Sequence, residues 1–227
     1  MKYFPLFLCL ILTSLNALSQ STKTIYSFKD TSNLDKINVG VQLEKYQGKK
    51  SINVFDATPD KDTELKIVRL PKSVFHNGVI EVELAGEPMK NAVAGARGFV
   101  GIAFRMDSAN SIFECLYLRP TNGRAEDQIR RNHSAQYISF PDFPRHKLRE
   151  KFPEKYESYV DLEAGKWTKV KIVIEGNTAK LFVHNSTQPT LIVSDLKHGK
   201  ESKGSIGLWI GPGTEAHFRN LIVTTTD

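Results

Sequence analysis

Alternation of apolar and polar residues with a period of two recurs along most of this chain. In the segment 167–176, for example, Val170, Ile172 and Ile174 form an apolar set while Lys169 and Lys171 fall between them. Because successive side chains of a β-strand point to opposite faces, this pattern predicts half-buried strands. The predicted strands span 24–28, 36–43, 51–55, 64–70, 78–86, 98–106, 111–119, 167–176, 179–185, 190–196, 204–211 and 216–224. Turn residues separate them and no stretch keeps a helical period, so the sequence predicts an all-β antiparallel sandwich or barrel.

The segment 120–164 interrupts this series. It is polar, it contains prolines at 120, 141, 144 and 153, and its only apolar piece is the short run 136–140. A helical turn or two is predicted within 152–160. Long loops in compact domains commonly carry function. Since neither a repeat nor a linker is visible, we predict one domain, 20–227, with 120–164 as a long loop insertion.

The first residues have the composition of an export signal. Lys2 precedes an apolar run, 3–12, that is too short to span a bilayer as a helix. Small residues at Ala17 and Ser19 suit a signal peptidase. We therefore predict a signal peptide, 1–19, and a secreted or periplasmic protein with no membrane span after cleavage. An uncleaved anchor is the alternative.

Charge and cysteine content limit the partners. The formal net charge of +6 is a mild excess that favours an acidic ligand. Nucleic acid is not expected as a partner, because the basic residues form no run and no nucleic-acid motif is present. Cys115 is the only cysteine after the predicted cleavage site, and its apolar strand favours a buried thiol over a reactive one. Nothing in the sequence specifies the oligomeric state.

Three segments resemble the concanavalin A-like lectin/glucanase superfamily, and within it the laminin-G-like bacterial branch that includes the 3-keto-disaccharide hydrolase domain family. They are GFVGIAFRMDSANSIFECLYL (98–118), GKWTKVKIVIEGNTAKLFVHN (165–185) and GSIGLWIGPGTEAHFRNLIV (204–223). The resemblance implies a two-sheet antiparallel jelly-roll sandwich that binds its ligand on the concave face of one sheet. It does not specify the chemistry, because lectins, hydrolases, lyases and adhesion modules share this scaffold.

The chain departs from that family at two places. Trp209 stands where the family usually has Gln, and the Glu-x-Asp-x-x-Glu signature of the superfamily's retaining glucanases is absent. The stretch EVELAGE (81–87) has Glu at its centre and is interpreted as a solvated strand face.

Strand parity nominates a ligand face. The apolar sets of 98–106 and 204–211 are expected to face the core, which turns Arg105 and Trp209 outward. We expect Trp209 to offer a flat ring on which a sugar can stack, with burial under the long loop as the alternative. Parity is ambiguous in 111–119, where we favour Tyr117 and Arg119 on the ligand face. Glu114 would then be a partly buried acid or the partner of an arginine.

The stretch GRAEDQIRRNH (123–133) follows this face and is predicted to form the rim of a sugar cleft. Its arginines suit carboxylates or pairs of hydroxyls, and its amides suit sugar hydroxyls. A solvated loop with internal ion pairs is the alternative. The candidate ligand-binding residues are Arg105, Tyr117, Arg119, Asn122, Arg124, Gln128, Arg130, Arg131, Asn132, Gln136, Tyr137 and Trp209; the candidate acid/base residues are Glu114, Asp127 and His133.

The main functional hypothesis is an exported protein that binds an oligosaccharide or polysaccharide, with an acidic glycan among the candidates, on the concave sheet face. A glycan-active hydrolase or lyase on the same face is the alternative, and a laminin-G-like protein-interaction domain is the third. No cofactor is predicted. Structural calcium at Asp56, Asp60 and Asp62 is considered, but an ordinary acidic turn is favoured.

Overall fold

The structure, a computed structural model, describes residues 21–61 and 63–226, without the side chain of Pro71. The predicted signal peptide, 1–19, and the calcium candidate Asp62 lie outside the described residues. Within the described part of the chain, no helix is long and apolar enough to cross a membrane.

One sheet has eight strands within the described residues. They are β1 (Ser21–Tyr26), β3 (Val39–Tyr46), β4 (Lys49–Asp56), β6 (Gly78–Pro88), β11 (Thr168–Glu175), β12 (Thr178–Val183), β13 (Leu191–Val193) and β15 (Thr214–Thr226). Their order is β13-β12-β11-β6-β15-β4-β3, and β1 also pairs with β15. Every pairing is antiparallel.

The other sheet has seven strands among the described residues. They are β2 (Asp35–Ile37), β5 (Ile67–Phe75), β7 (Val100–Met106), β8 (Phe113–Leu118), β9 (Ala135–Phe140), β10 (Glu157–Ser158) and β14 (Gly204–Ile210). Their order is β10-β9-β8-β7-β14-β5-β2, again antiparallel throughout.

The core lies between the two sheets. Val54 and Ile172 face it from the eight-stranded sheet, and Ile102, Leu116 and Leu208 face it from the other; all five side chains are buried. Each comes from the apolar set of its alternating strand. The predicted all-β, two-sheet antiparallel sandwich is therefore confirmed.

The predicted strand 36–43 is in fact two strands that belong to different sheets. Asn38 separates β2 from β3 in a left-handed conformation with φ of 55°. Its side-chain amide donates to Leu65 O at 2.8 Å, which holds the chain where it crosses between the sheets. Asparagine tolerates this backbone region better than most residues do.

The segment 120–164 has more regular structure than the predicted polar loop. It contains β9 and β10, a 3-10 turn (Pro120–Asn122) and two short helices, α1 (Gln128–Asn132) and α2 (Arg145–Lys151). The helical turns predicted within 152–160 occur instead just upstream, as α2. The run 135–140 pairs with β8 along its whole length and extends the seven-stranded sheet.

Candidate functional site

Three side chains form a buried floor on the outer face of the seven-stranded sheet. Tyr117 and Trp209 both pair with Gly101 on the intervening strand β7, and Gln136 pairs with Tyr117 on the other side. A Cβ at Gly101 would lie 2.4 Å from Tyr117 Cβ, so only glycine fits there. The two rings therefore meet across β7 with centroids 4.7 Å apart. The alternation of side chains along the two strands predicted that Tyr117 and Trp209 lie on the same outer face, and they do.

Trp209 is not the exposed sugar platform that we expected. Its side chain is fully buried, and its indole Nε1 donates to Glu64 O at 2.6 Å. A stacking platform needs one free ring face. Trp209 instead forms part of the buried floor.

Arg119 lies directly above this floor. One of its terminal nitrogens donates to Tyr117 Oη at 3.0 Å, and the other donates to Glu157 Oε1 at 3.2 Å and to the carbonyl of His133. Its guanidinium also stands 5.1 Å from the ring centroid of Phe99. Arg119 is only 3% exposed, yet its Nε has no hydrogen-bond partner among the described residues.

Glu157 joins the basic side chains of this region. Its carboxylate accepts from Arg119 and from both Nε and Nη2 of Arg149, and His133 Nδ1 lies 2.8 Å from Oε2. Burial alone would raise the pKa of Glu157, but the hydrogen bond from Arg149 and the charge of Arg119 lower it below the ordinary value. Glu157 therefore stays ionised beneath the site.

A cleft of about 480 Å³ opens above Arg119 at the rim of the sheet, within the size range of small-ligand sites. Its lining consists of Gly95, Arg97, Phe99, Arg119, Asn122, Asp127, Ile129, Arg130, His133, Arg145 and Arg149. We call it the arginine cleft. The structure thus brings together five of the predicted site residues, namely Arg119, Asn122, Asp127, Arg130 and His133.

Two of the cleft arginines have no carboxylate partner. Within the described residues neither Arg97 nor Arg130 forms an ion pair, whereas Arg145 pairs with Glu64. Arg130 donates instead to Asn122 Oδ1 at 3.0 Å and to the carbonyl of Thr121. Burial, and then the positive charge of Arg130, lower the pKa of Arg97. The two guanidinium groups therefore repel each other across the cleft.

Four residues of the stretch 123–133 point away from the cleft. Arg124 pairs with Asp161 and Glu163 at the surface. Arg131 lies over the ring of Tyr159, and Gln128 and Asn132 bond to each other along α1. For Arg124, Gln128, Arg131 and Asn132 the structure corresponds to the solvated-loop alternative.

Arg105 does not face the ligand side. It adopts φ of 53° at a bulge where β7 gains one residue relative to β14. This turns its side chain into the end of the sandwich, where it is fully buried and donates to three backbone carbonyls and to Asn77 Oδ1. A bulge re-aims a side chain in this way, so simple parity fails at this position.

Glu114 and Tyr137 lie on the core side of the seven-stranded sheet. Tyr137 Oη donates to Glu114 Oε2, and Glu114 Oε1 accepts from the backbone N–H of His198 at 2.8 Å. Both residues are buried and neither lines the arginine cleft. Glu114 therefore cannot act together with Asp127 and His133 at the cleft.

The predicted calcium ligand Asp56 already has a cation beside it. Lys66 Nζ lies 2.6 Å from Asp56 Oδ1, and both side chains are fully buried. The backbone N–H groups of Thr58 and Gly213 also donate to the carboxylate. Asp60 is exposed. The Asp56 carboxylate is thus paired with a buried ammonium group.

Sequence reasoning missed five residues of this region: Arg97, Phe99, Arg145, Arg149 and Glu157. Arg145 and Arg149 are four residues apart with Leu148 between them, which is the spacing of one helix face. That signal was available in the sequence. No local signal connects them with Arg97 or with Glu157, because the tertiary fold alone brings these segments together.

A larger groove, about 670 Å³, runs beside β1 on the other sheet. Its arginine, Arg219, already lies 3.6 Å from Glu83. The arginine cleft is the more distinctive site, because it combines unpaired positive charge with a buried, hydrogen-bonded floor.

Solved structures similar to this chain are β-sandwiches. One is a protein of unknown function with a galectin-like fold from Bacillus subtilis, at 13% identity and a TM-score of 0.55, covering 88% of this chain and 92% of that one. Another is a prokaryotic β-1,3-1,4-glucanase (lichenase) derived from a mouse hindgut metagenome, at 12% identity and a TM-score of 0.53, covering 91% of this chain and 99% of that one.

These similarities establish the fold. The chain has a two-sheet sandwich similar to the galectin-like fold of the first structure, and a two-sheet sandwich is what the sequence resemblance implied. No protein-family model matches the chain, and no curated protein sequence matches it. Function must therefore be argued from the site itself.

Proposed function

We propose that this protein binds a glycan that carries an acidic group, a carboxylate or a sulfate, in the arginine cleft. The observation that carries the proposal is the pair of guanidinium groups, Arg97 and Arg130, which face the cleft without a carboxylate partner. An anion placed between them relieves their mutual repulsion. Either group also offers a pair of oxygen atoms that an arginine fork can bind.

The charge balance of the cleft supports an anionic ligand. Five arginines line the cleft. Among the described residues, three carboxylates either line it or pair with one of these arginines: Asp127, Glu157 and Glu64. The cleft therefore carries an excess of positive charge, which favours an anionic ligand.

The remaining lining suits a sugar ring. The side chain of Ile129, which is 72% exposed at the rim, offers an apolar surface for the C–H face of a sugar. The neighbours with this fold include a glucanase, which is consistent with a glycan as the ligand.

Two finer proposals rest on the sequence. The three resembling segments lead us to place the chain in the laminin-G-like branch beside the 3-keto-disaccharide hydrolase domain family. The N-terminal signal pattern leads us to propose export, so that the cleft meets its glycan in the periplasm or outside the cell.

A glycan-active enzyme is the second candidate. Asp127 and His133 both line the arginine cleft, and a hydrolase or lyase needs two titratable groups in one cleft. Asp127 also caps α1, since its side chain accepts from Arg130 N. Incubation with each bound oligosaccharide, followed by product analysis, separates the two candidates: a glycan that binds and is returned intact supports a binding protein.

A thermal-shift screen against neutral, uronic and sulfated oligosaccharides tests the proposed function. At a ligand concentration of about 100 times Kd, binding adds about 2.7 kcal/mol to stability and raises Tm. We expect acidic members of the panel to raise Tm and their neutral counterparts not to. Shifts confined to neutral glycans contradict the proposal.

Arg97→Gln is the sharpest variant for this site. Among the described residues, the Arg97 side chain bonds only to Ala96 O, at 3.3 Å, so its loss should leave the fold intact. We expect affinity for the acidic glycan to fall by about 1.5–3 kcal/mol, the value of a charge-assisted hydrogen bond. Arg124→Gln, at an arginine outside the cleft, is the matched control and should bind like the wild type. Equal loss in both variants would point to general surface charge instead.

A further inference from the structure

A second cluster of polar side chains lies on the outer face of the eight-stranded sheet. It consists of Glu44 on β3, Asn53 on β4, and Glu215 and His217 on β15, which are neighbouring strands. We call these four residues the outer-face cluster. It shares no residue with the arginine cleft.

The members of this cluster are within bonding distance of each other. His217 Nε2 lies 2.6 Å from Glu44 Oε1, and Asn53 Nδ2 lies 3.0 Å from a carboxylate oxygen of Glu44 and 3.0 Å from one of Glu215. One ligand atom from each glutamate and from the histidine falls within 4.8 Å of the others. Cross-strand pairing of His217 with Asn53 sets this arrangement.

Asn53 can present either its nitrogen or its oxygen to the two glutamates. The residue is 4% exposed, and its Oδ1 has no hydrogen-bond partner among the described residues. A half-turn of the carboxamide exchanges its oxygen and nitrogen. Oδ1 then faces the oxygens of Glu44 and Glu215, which is favourable only if a cation lies between them.

Neither glutamate of the cluster forms an ion pair with a lysine or an arginine within the described residues. Arg219 and Lys49 lie on the same face, but they approach Glu83 at 3.6 and 3.8 Å. Among the described residues, Asn53 bonds to both carboxylates, and His217 contacts that of Glu44.

Aromatic side chains hold His217 in place. The ring of Tyr46 stacks on the imidazole with centroids 3.7 Å apart, and the ring of Trp167 approaches it edge-on. The Tyr46 hydroxyl lies 3.1 Å from Glu87 Oε1 and 2.8 Å from Gly165 O, and such outer contacts orient a metal ligand.

We propose that the outer-face cluster binds a divalent transition-metal ion, with Zn²⁺ as the best match. One imidazole nitrogen, two carboxylates and a carboxamide oxygen form a mixed nitrogen and oxygen ligand set, which suits Zn²⁺ or Mn²⁺ better than Ca²⁺. Tetrahedral Zn²⁺ with bonds of about 2.0–2.2 Å holds its ligand atoms roughly 3.4 Å apart, so the 2.6 Å contact between His217 Nε2 and Glu44 Oε1 has to open when the ion binds. Rotation of the partly exposed Glu44 and Glu215 side chains can achieve this.

Calorimetric titration of the metal-free, tag-free protein with ZnCl₂ tests this site. We expect one saturable Zn²⁺ per chain, and a rise in Tm with Zn²⁺ that Ca²⁺ at the same concentration does not produce. Glu215→Gln and His217→Gln should each weaken Zn²⁺ binding by more than about tenfold, since even outer-shell changes cost about 10–100-fold. Co²⁺ provides an independent readout, because its visible spectrum reports the coordination number.

Two variants serve as controls for the Zn²⁺ titration. His146→Gln removes an exposed histidine away from the cluster and should keep wild-type Zn²⁺ affinity. Glu215→Gln keeps a side chain of the same size at a partly exposed position, so it guards against misfolding of the His217 variant. The proposal is overturned if the wild type binds no Zn²⁺, or if Glu215→Gln binds it as tightly as the wild type. Neither outcome affects the glycan proposal, which concerns the other sheet.

Discussion

Trp209 shows how one side chain can be placed on the correct face and still have a different role. Its ring is buried against Tyr117 and its Nε1 bonds to Glu64 O. Alternation along β14 shows the face that the ring is on. It does not show that distant segments cover that face.

Trp209→Ala should therefore destabilise the protein strongly. We expect a loss of about 3–5 kcal/mol in the free energy of unfolding, the range for removing a buried aromatic side chain. Denaturant unfolding measures it. Trp209→Phe keeps a ring in the same place and should cost clearly less. A loss below 1 kcal/mol for Trp209→Ala would mean that the ring is not packed as described.

The buried pair of Tyr137 and Glu114 gives a second residue-scale prediction. Tyr137→Phe removes the donor to Glu114 and the acceptor of Lys197 N, which lies at 3.0 Å from the hydroxyl. Leaving buried groups unpaired should cost about 1–3 kcal/mol of stability. Tyr159→Phe, at a partly exposed tyrosine bonded to Arg131, is the matched control and should stay within about 0.5 kcal/mol of wild type. Equal effects in unfolding experiments on both variants contradict this description.

At the scale of elements, the segment 120–164 is an integral part of the sandwich. It supplies β9 and β10 to one sheet, and Tyr156 and Lys155 attach it to Asp195, beyond β13. Asp195 also accepts from Lys197 Nζ at 2.9 Å. This carboxylate therefore connects the segment to the chain that leads into β14.

Acid should weaken that connection. Burial alone would raise the pKa of Asp195, but hydrogen bonds from Lys155, Lys197 and Tyr156 hold it at about 2. The unfolded chain has a value near 3.9. Because the folded pKa is the lower one, this contribution to stability is present above about pH 4 and is lost as the pH falls towards 2.

Asp195→Asn tests this prediction through the pH dependence of unfolding. The variant should be less stable than the wild type at pH 6, and the difference should shrink between about pH 4 and 2. Urea unfolding at several pH values measures it. Asp142→Asn changes an exposed carboxylate and serves as the control. If the difference in unfolding free energy between the wild type and Asp195→Asn does not change with pH, the role assigned to Asp195 is contradicted.

The sequence predicted regular elements better than their exceptions. Alternation located most strands because β-pleating is local, as in β11, where buried Val170 and Ile172 alternate with exposed Lys169 and Lys171. It failed at Arg105, where a bulge reverses the side chain. A bulge depends on pairing with another strand, so a single strand pattern does not show it.

At the scale of the whole molecule, the outer faces of the two sheets carry different polar sites. One carries an excess of arginine at the rim of a buried aromatic floor, and the other carries the outer-face cluster. The stretch 123–133 was predicted as a binding rim, and three of its residues, Asp127, Arg130 and His133, line the first site. Arg97 and α2 were not predicted there, because segments remote in sequence meet at the cleft only in the folded sandwich.

The central claim is that the arginine cleft recognises the acidic group of a glycan. The most direct test is calorimetric titration with matched pairs: a uronic or sulfated oligosaccharide, and the same chain with its carboxylates reduced or its sulfates removed. We predict that the acidic form binds at least about tenfold more tightly, and that this advantage falls as ionic strength rises. Equal affinity of the wild type for both forms, at low salt, would contradict the claim.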